Sequence, residues 1–321
     1  MPTFRAVLSL LALAAAVPAH TAPVDDYPNR PVHLVFPYSA GGVSDLARLV
    51  AERLGERWHQ SVLLEIRPGA SGNVAAEFVA RAPADGYTLL VTPPPPLAIN
   101  QSLFAKLGYD PAAFVPVTVL SSMPNLLVAT RGLPASNLRE LLDYAKANPA
   151  RLSYASTGNG GTPHLSAEQL KAQGQVHIVH VPYQGIASAL PDLVAGRVDL
   201  MFANLTGVMP LVKDGRLKVL AVASAERLAQ LPGVPTVHET LPGFVSDSWL
   251  ALAAPALTPA AVVDKIALAV QEVLQTPEVD ERLRQLGAVP VGNTPAQARE
   301  FIRLEIQRWA LVIRSAAIKP D

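Results

Sequence analysis

The chain has 321 residues, of which 50% are hydrophobic; this is enough to bury a large core, and the length predicts two lobes. Its 26 Lys and Arg balance its 26 Asp and Glu, and this zero formal net charge disfavours nucleic acid and anionic lipid as partners. The chain contains 0 Cys, which excludes disulfides, thiolate metal sites, a cysteine nucleophile and a lipid-anchored cysteine.

Residues 1–22 have the pattern of a signal peptide. Arg5 precedes an apolar run over residues 6–17 that is too short to span a bilayer. Small residues follow, and cleavage after Ala22 is slightly favoured over cleavage after Ala19. We therefore expect the chain to be exported and its mature form to be soluble.

The first third of the mature chain alternates strand and helix patterns. Short β-rich runs occupy residues 32–36, 62–66 and 87–91, whereas apolar residues recur at helical spacing over 46–54 and an alanine-rich stretch covers 74–82. Such alternation predicts an α/β fold with a parallel sheet covered by helices on both faces.

The second part repeats this alternation. A helix is predicted over residues 138–147, after Asn137 and before Asn148-Pro149, and Pro191 is expected to interrupt a later helix over 186–195. Thr258-Pro259 and Thr294-Pro295 each predict a capping hydroxyl followed by a proline at the first helical position. The last of these helices carries an apolar stripe that predicts core packing. The second part also contains four predicted strands, over residues 152–155, 176–181, 200–203 and 218–223.

Four consecutive prolines, residues 93–96, follow the strand that ends at Val91. They predict an extended backbone. Two interpretations are equally open: a stiff connection out of the sheet, or one wall of a site, because open α/β sheets bind ligands at the carboxyl ends of their strands.

Three glycine-rich turns between a strand and a helix are the most informative local feature. Glycine lets the backbone approach a ligand closely, and free amide groups at a helix start favour an anion. The loops contain hydroxyls and amides but no Lys or Arg and no phosphate-binding motif, which suits a carboxylate better than a phosphate chain. The alternative is that the glycines serve turn geometry alone. The turns are Ser39-Ala40-Gly41-Gly42, the segment 68–73 and the segment 157–162.

Patterns typical of enzymes and metal sites are absent from the sequence. Ser71 lies in Gly-Ala-Ser-Gly-Asn, which lacks the second glycine of a hydrolase nucleophile elbow, and the histidines are scattered without a His-Glu-x-x-His motif. We expect no metal and no cofactor. For His164 a local hydrogen bond and a ligand contact are equally open, and Tyr183 is either a ligand-stacking or a rim aromatic. Trp249 favours hinge or core packing.

Many short segments, in one order over the whole mature chain, resemble the tripartite tricarboxylate transporter receptors, also called Bug or TctC-type receptors. In the first half they include Tyr27-Pro28-Asn29-Arg30-Pro31-Val32, Pro37-Tyr38-Ser39-Ala40-Gly41-Gly42, Arg67-Pro68-Gly69-Ala70-Ser71-Gly72-Asn73, Asp85-Gly86-Tyr87-Thr88-Leu89-Leu90, Leu97-Ala98-Ile99-Asn100 and Tyr109-Asp110-Pro111. In the second half they include Tyr154-Ala155-Ser156, Gly161-Thr162-Pro163-His164-Leu165, His180-Val181-Pro182-Tyr183 and Leu231-Pro232-Gly233-Val234-Pro235-Thr236.

The resemblance implies a two-lobed periplasmic binding protein, type II-like, with a mainly parallel sheet in each lobe and a hinge crossed twice. Such receptors hold a small carboxylate, a dicarboxylate or an aromatic acid for example, and deliver it to a membrane permease. Backbone amides and ordered waters at two loops hold the carboxylate, and these loops correspond here to Ser39 to Gly42 and Gly160 to Thr162.

From these arguments we expect one lobe to comprise residues 23–124 plus 252–321, and the other to comprise residues 125–251. We expect a monomer that binds no nucleic acid. The candidate ligand-binding residues are Tyr38, Ser39, Ala40, Gly41, Gly42, Ser44, Asp45, Ser71, Asn73, Pro94, Thr157, Gly160, Gly161, Thr162, His164, Tyr183, Ala203 and Asn204.

Three departures from the family pattern bear on the ligand. The loop over residues 41–48 is one residue shorter than usual, and the prolines 93–96 replace glycine and small hydroxyl residues that could donate to a ligand. Ala203 stands where many relatives carry aspartate, so a ligand without an ammonium group is favoured.

Two other functions stay open from the sequence. A sensor that presents its ligand to a membrane kinase would lose a transcriptional response on deletion, whereas a transport receptor would lose carboxylate uptake. A periplasmic enzyme would turn over the bound acid.

Overall fold

The strands form one mixed sheet that continues through both lobes. The structure is a computed structural model, and it describes residues 26–39, 43–183, 185–316 and 318. Residues 1–22, the expected signal peptide, lie outside this range. The strands are β1 Val32–Phe36, β2 Val62–Ile66, β3 Thr88–Thr92, β4 Val115–Thr130, β5 Ser153–Ser156, β6 Val179–Pro182, β7 Leu200–Asn204, β8 Leu217–Val222, β9 Asp247–Ala254 and β10 Val289–Pro290.

The helices pack on both faces of this sheet. Within the part of the chain that the structure describes, no helix has the combination of length and apolar sequence that crossing a membrane requires. The helices are α1 Val43–Trp58, α2 Asn73–Ala80, α3 Asn100–Leu103, α4 Leu138–Ala147, α5 Thr162–Gly174, α6 Ile186–Val194, α7 Leu205–Lys213, α8 Ala260–Leu274, α9 Pro277–Gln285 and α10 Pro295–Ser315.

In the first lobe, β1 pairs in parallel with β2 and β3, and the antiparallel strand β9 separates β3 from β4. Neighbouring residues of β1 point to opposite cores: Leu34 packs with α1 and α8, whereas Val35 packs with α2 and α10. Because both faces are covered, the strand is apolar almost throughout, which is why it was recognisable in the sequence.

The long strand β4 connects the two lobes. Its residues 115–124 pair with β9, and its residues 125–130 pair with β7 and β8. The chain returns to the first lobe through β9. Neither strand was predicted from the sequence. In β4, Pro116 and Pro124 interrupt the β pattern; in the structure the register shifts after Pro116 and so tolerates it.

In the second lobe, β5 pairs in parallel with β6 and β7, as the alternation of strands and helices predicted. Successive residues again face two cores: Phe202 lies with α4 and α5, and Ala203 lies with α6 and α7. The two-lobed α/β fold expected from the sequence is confirmed. Each parallel block is extended by antiparallel strands, namely β4, β8, β9 and β10.

The expectation of an extended backbone at residues 93–96 was wrong. Pro94 has helical angles, φ −51° and ψ −39°, and a π-helical turn over Pro95–Ile99 leads into α3. The physical reason is positional: amides in the first turn of a helix have no intrahelical acceptor, so prolines lose no hydrogen bond there.

Of the other predictions made from threonine and proline positions, some were confirmed and others were wrong. Thr294 caps α10 as expected, with a reciprocal capping box to Gln297. Thr258 does not cap α8, because its hydroxyl donates to the Pro255 carbonyl and the helix begins one residue later. Pro191 does not interrupt α6, which runs through it from Ile186 to Val194. The apolar stripe of α10 is core, with Trp309 fully buried.

Candidate functional site

The two lobes meet where strands of each lobe end. In the first lobe, loops leave the carboxyl ends of β1, β2 and β3; in the second lobe, loops leave those of β5, β6 and β7. Gly160, after β5, lies so close to α3 that a Cβ there would come 2.2 Å from Cδ2 of Leu103. The loop after β5 therefore meets the first lobe at α3, which follows the loop after β3.

Three loops converge at Gly72 to form the first-lobe wall. Gly72 has φ +88°, and a Cβ there would meet Cγ of Pro96 at 2.8 Å and Cβ of Pro37 at 3.1 Å. Only glycine fits both the left-handed backbone and this close approach. The loop glycine thus brings the segments after β1, β2 and β3 together.

A buried hydrogen-bond network joins these loops. Asn100 donates from Nδ2 to the Ser71 carbonyl (3.0 Å) and to Oδ1 of Asn73 (2.6 Å), and the Tyr109 hydroxyl lies 3.0 Å from the same Asn73 oxygen. The Tyr38 hydroxyl also donates to the Ser71 carbonyl, at 3.3 Å. Ser71 and Asn73, predicted from the sequence, are thus brought together with Tyr38.

Burial raises the pKa of Tyr38 and of Tyr109 well above the ordinary phenol value, and the neighbouring Tyr109 raises that of Tyr38 further. Both hydroxyls therefore stay protonated and act as hydrogen-bond donors. Asn100 is 1% exposed, and its Oδ1 has no partner among the residues described. Neither Asn100 nor Tyr109 was among the predicted site residues, although Asn100 is the last residue of one family segment and Tyr109 the first of another.

The remaining first-lobe candidates are less fully described. Ala40, Gly41 and Gly42 lie outside the described residues. Ser39 is exposed, Ser44 is fully buried at the start of α1, and Asp45 is exposed in its first turn. Pro94 is buried where the π-helical turn begins.

The second-lobe wall is the loop over residues 157–161 and the start of α5. The Gly160 amide donates to Nδ1 of His164 (3.1 Å), and Oγ of Ser156 lies 2.7 Å from Nε2 of His180. The same serine oxygen accepts from the Gly158 amide at 3.2 Å. The ring of His164 therefore hydrogen-bonds to this loop, and the ring of His180 hydrogen-bonds to Ser156 just before it. The sequence spacing did not indicate this role for His180.

Gly161 is the N-cap of α5 and supplies no side-chain cap, so the first turn of this helix presents backbone amides at the lobe boundary. Thr162 and His164 are buried in that turn, and Thr157 is partly buried in the loop before it. The local hydrogen bond, one of the two interpretations of His164, is present in the structure.

Tyr183, Ala203 and Asn204 lie at the ends of β6 and β7. The Tyr183 hydroxyl donates to Oδ2 of Asp192 (2.8 Å), and Nδ2 of Asn204 donates to Oδ1 of Asn125 (3.2 Å). Ala203 is 1% exposed within the second-lobe core. The phenol and the amide nitrogen are thus already engaged within their own lobe.

Two α/β lobes, joined by long strands and meeting at polar loops, define a two-lobed solute-binding protein. The chain belongs to the tripartite tricarboxylate transporter family receptors, whose family model matches residues 46–318. It is therefore a receptor of the periplasmic binding-protein type.

Curated and solved relatives agree with this assignment over nearly the full chain. Protein BugT of Bordetella pertussis is 34% identical over 319 residues, covering 98% of each chain. The structure of Rpa4515 of R. palustris with adipate has 40% identity and a TM-score of 0.85, covering 92% of this chain and 100% of that one. MatC from Rhodopseudomonas palustris with bound malate has 34% identity and a TM-score of 0.79, covering 89% and 100%.

Proposed function

We propose that this chain captures a small carboxylate between its lobes, releases it unaltered, and delivers it to a tripartite tricarboxylate-type permease. The observation that carries the proposal is the meeting of the Gly160 loop with α3 of the first lobe, which follows the loop at the carboxyl end of β3. Dicarboxylates are the first class to test, because two relatives of 40% and 34% identity have structures with adipate and malate.

The chemistry of the second-lobe wall supports a carboxylate. The first turn of α5 offers amides and the positive end of a helix dipole, whereas in the first-lobe wall the Tyr38 hydroxyl and the Asn100 side-chain amide already donate to Ser71 and Asn73. No candidate residue is Lys or Arg. Ordered waters can bridge such donors to a ligand nearly as favourably as direct contacts, so a cation is not required.

The path of the chain supports closure around the ligand. In the described part of the chain, β4 and the segment entering β9 carry the chain between the two lobes, and β4 and β9 pair with each other in the first lobe. A ligand that touches both walls would favour the closed arrangement over an open one by its differential contacts.

A thermal-shift screen tests the binding proposal. We expect the melting temperature of the mature protein to rise with dicarboxylate concentration, because a ligand that binds only the folded state stabilises it by mass action. Amino acids and aromatic acids serve as comparison sets. A flat response to every carboxylate would overturn the proposal.

A second experiment tests whether the ligand is altered. The protein is incubated with an excess of a dicarboxylate that raises its melting temperature, and proton NMR of the filtrate follows the compound over hours. We expect an unchanged spectrum. Appearance of a new product that depends on the protein would indicate an enzyme.

Export and delivery need tests in cells. We propose that residues 1–22 direct the chain to the periplasm and are removed there, and the intact mass of the periplasmic protein measures the cleavage point. Deletion of the gene should abolish uptake of the bound carboxylate while a kinase-dependent transcriptional response stays normal. The reverse result would favour the sensor.

A further inference from the structure

We propose that His164 is a positioning residue: its unprotonated Nδ1 holds the Gly160 amide and thereby sets the shape of the loop that presents α5 to the ligand. The observation is the hydrogen bond from Gly160 N to His164 Nδ1, 3.1 Å long and buried. The inference rests on the proposed carboxylate function, because it assigns a role within that site.

The Gly160 amide needs this acceptor. Gly160 has φ +76° and is buried against Leu103 of the opposite lobe, so water cannot easily replace a lost partner. A buried N–H without an acceptor costs more than the bond itself contributes. Without His164 the loop would therefore turn this amide elsewhere, and Gly161, which caps α5, would move with it.

The ring of His164 is held by neighbours that fix its orientation. It stacks on His180 with ring centroids 4.1 Å apart and 9° between the planes, and His180 stacks in turn on Tyr154 at 4.7 Å. His180 is itself bound to Ser156, at the end of β5.

The far end of the stack is also anchored. The Tyr154 hydroxyl donates to Oε1 of Glu168 (2.5 Å), and that carboxylate receives Nζ of Lys171 at 2.6 Å. The stack therefore connects the core of the second lobe to the loop through aromatic rings with little freedom.

This geometry favours positioning over ligand contact. His164 is 5% exposed, one face of its ring lies against His180, and its Nδ1 is already an acceptor. Because Nδ1 already accepts from the Gly160 amide, this nitrogen acts on the ligand through the loop and not by direct contact.

The test uses two replacements of equal polarity. In His164→Asn, Oδ1 occupies the place of Nδ1 and can accept from Gly160; in His164→Gln, the amide oxygen lies one bond further out, near the place of Nε2. We expect His164→Asn to keep the affinity for the stabilising dicarboxylate within about threefold, and His164→Gln to weaken it about tenfold or more.

Amide hydrogen exchange of the ligand-free proteins supplies a second readout that does not depend on carboxylate binding. The Gly160 amide should be protected in the wild type and in His164→Asn, and should exchange faster in His164→Gln. Equal affinity and equal protection in the two variants, or loss of both in the two variants, would overturn the positioning role. If the wild type binds no carboxylate, the proposed function fails, while the exchange comparison still decides the role of His164.

Discussion

At the scale of single residues, a substitution at Gly161 should affect ligand binding without affecting stability. Its backbone angles, φ −70° and ψ 158°, are open to any residue, and the nearest atom to an added Cβ is Thr157 Oγ1 at 3.3 Å. We expect Gly161→Val to weaken dicarboxylate binding at least about tenfold by filling the space before α5, with little change in melting temperature. Calorimetric titration measures the affinity.

Gly132→Val is the matched control for this variant. Nothing lies within 4 Å of a Cβ added at Gly132, and this residue follows β4 at the end of the second lobe away from the loop after β5. It should bind as the wild type does. Unchanged affinity in Gly161→Val would contradict the site.

Asp247 links stability to pH. Burial is the largest influence and raises the pKa of its carboxyl to about 6. Of the smaller influences on this pKa, Arg308 and a hydrogen bond from Ser122 lower it, and Glu305 raises it. Because the folded protein then binds more protons than the unfolded chain between about pH 4 and 6, stability falls as the pH rises through that window. The full loss is about 3 kcal/mol or less.

Asp247→Asn removes this titration. We expect urea unfolding to give the variant and the wild type similar stability at pH 4, and the variant an advantage that grows to pH 6 and then levels off. A difference that stays constant from pH 4 to 7 would contradict the shifted pKa.

At the scale of elements, α10 ties the last part of the chain to the lobe boundary through one buried carboxylate. Oε2 of Glu305 accepts from Nε1 of Trp249 (2.8 Å), from Nε1 of Trp309 (3.1 Å) and from Nη2 of Arg308 (2.7 Å). Arg308 also donates to the carbonyl of Val245, just before β9. The helix therefore restrains the segment by which the chain returns to the first lobe.

Two Glu–Arg pairs with the same spacing on α10 allow a matched comparison. Glu305→Ala leaves two indole donors and a guanidinium without their acceptor, and we expect it to cost about 3 kcal/mol of unfolding free energy. Glu300→Ala breaks the exposed pair with Arg303, and we expect it to change the unfolding free energy far less. Denaturant unfolding measures both; similar costs would contradict the structural role of the buried carboxylate.

At the scale of the whole molecule, the sequence predicted the elements whose bounds are set by the local sequence pattern. β1 and β2 are apolar runs with clear ends, and α4 begins after Asn137, so their bounds could be read directly. β4 could not, because its prolines are tolerated only through pairing with distant strands. Likewise, the loops with Ser71 and Gly160 were predictable, whereas Asn100 and His180 gain their roles from contacts that no local spacing encodes.

The contact between the lobes at Gly160 predicts a coupling that a double-mutant cycle can measure. Gly160→Ala places a methyl 2.2 Å from Leu103 Cδ2, so the leucine side chain must move away, and we expect weaker dicarboxylate binding. Leu103→Ala removes the obstructing atoms and should restore part of the affinity in the double variant, although the strain of alanine at φ +76° remains. Calorimetric titration of the wild type, the two single variants and the double variant gives the coupling. Strictly additive losses would mean that the two residues do not meet in the ligand-bound state.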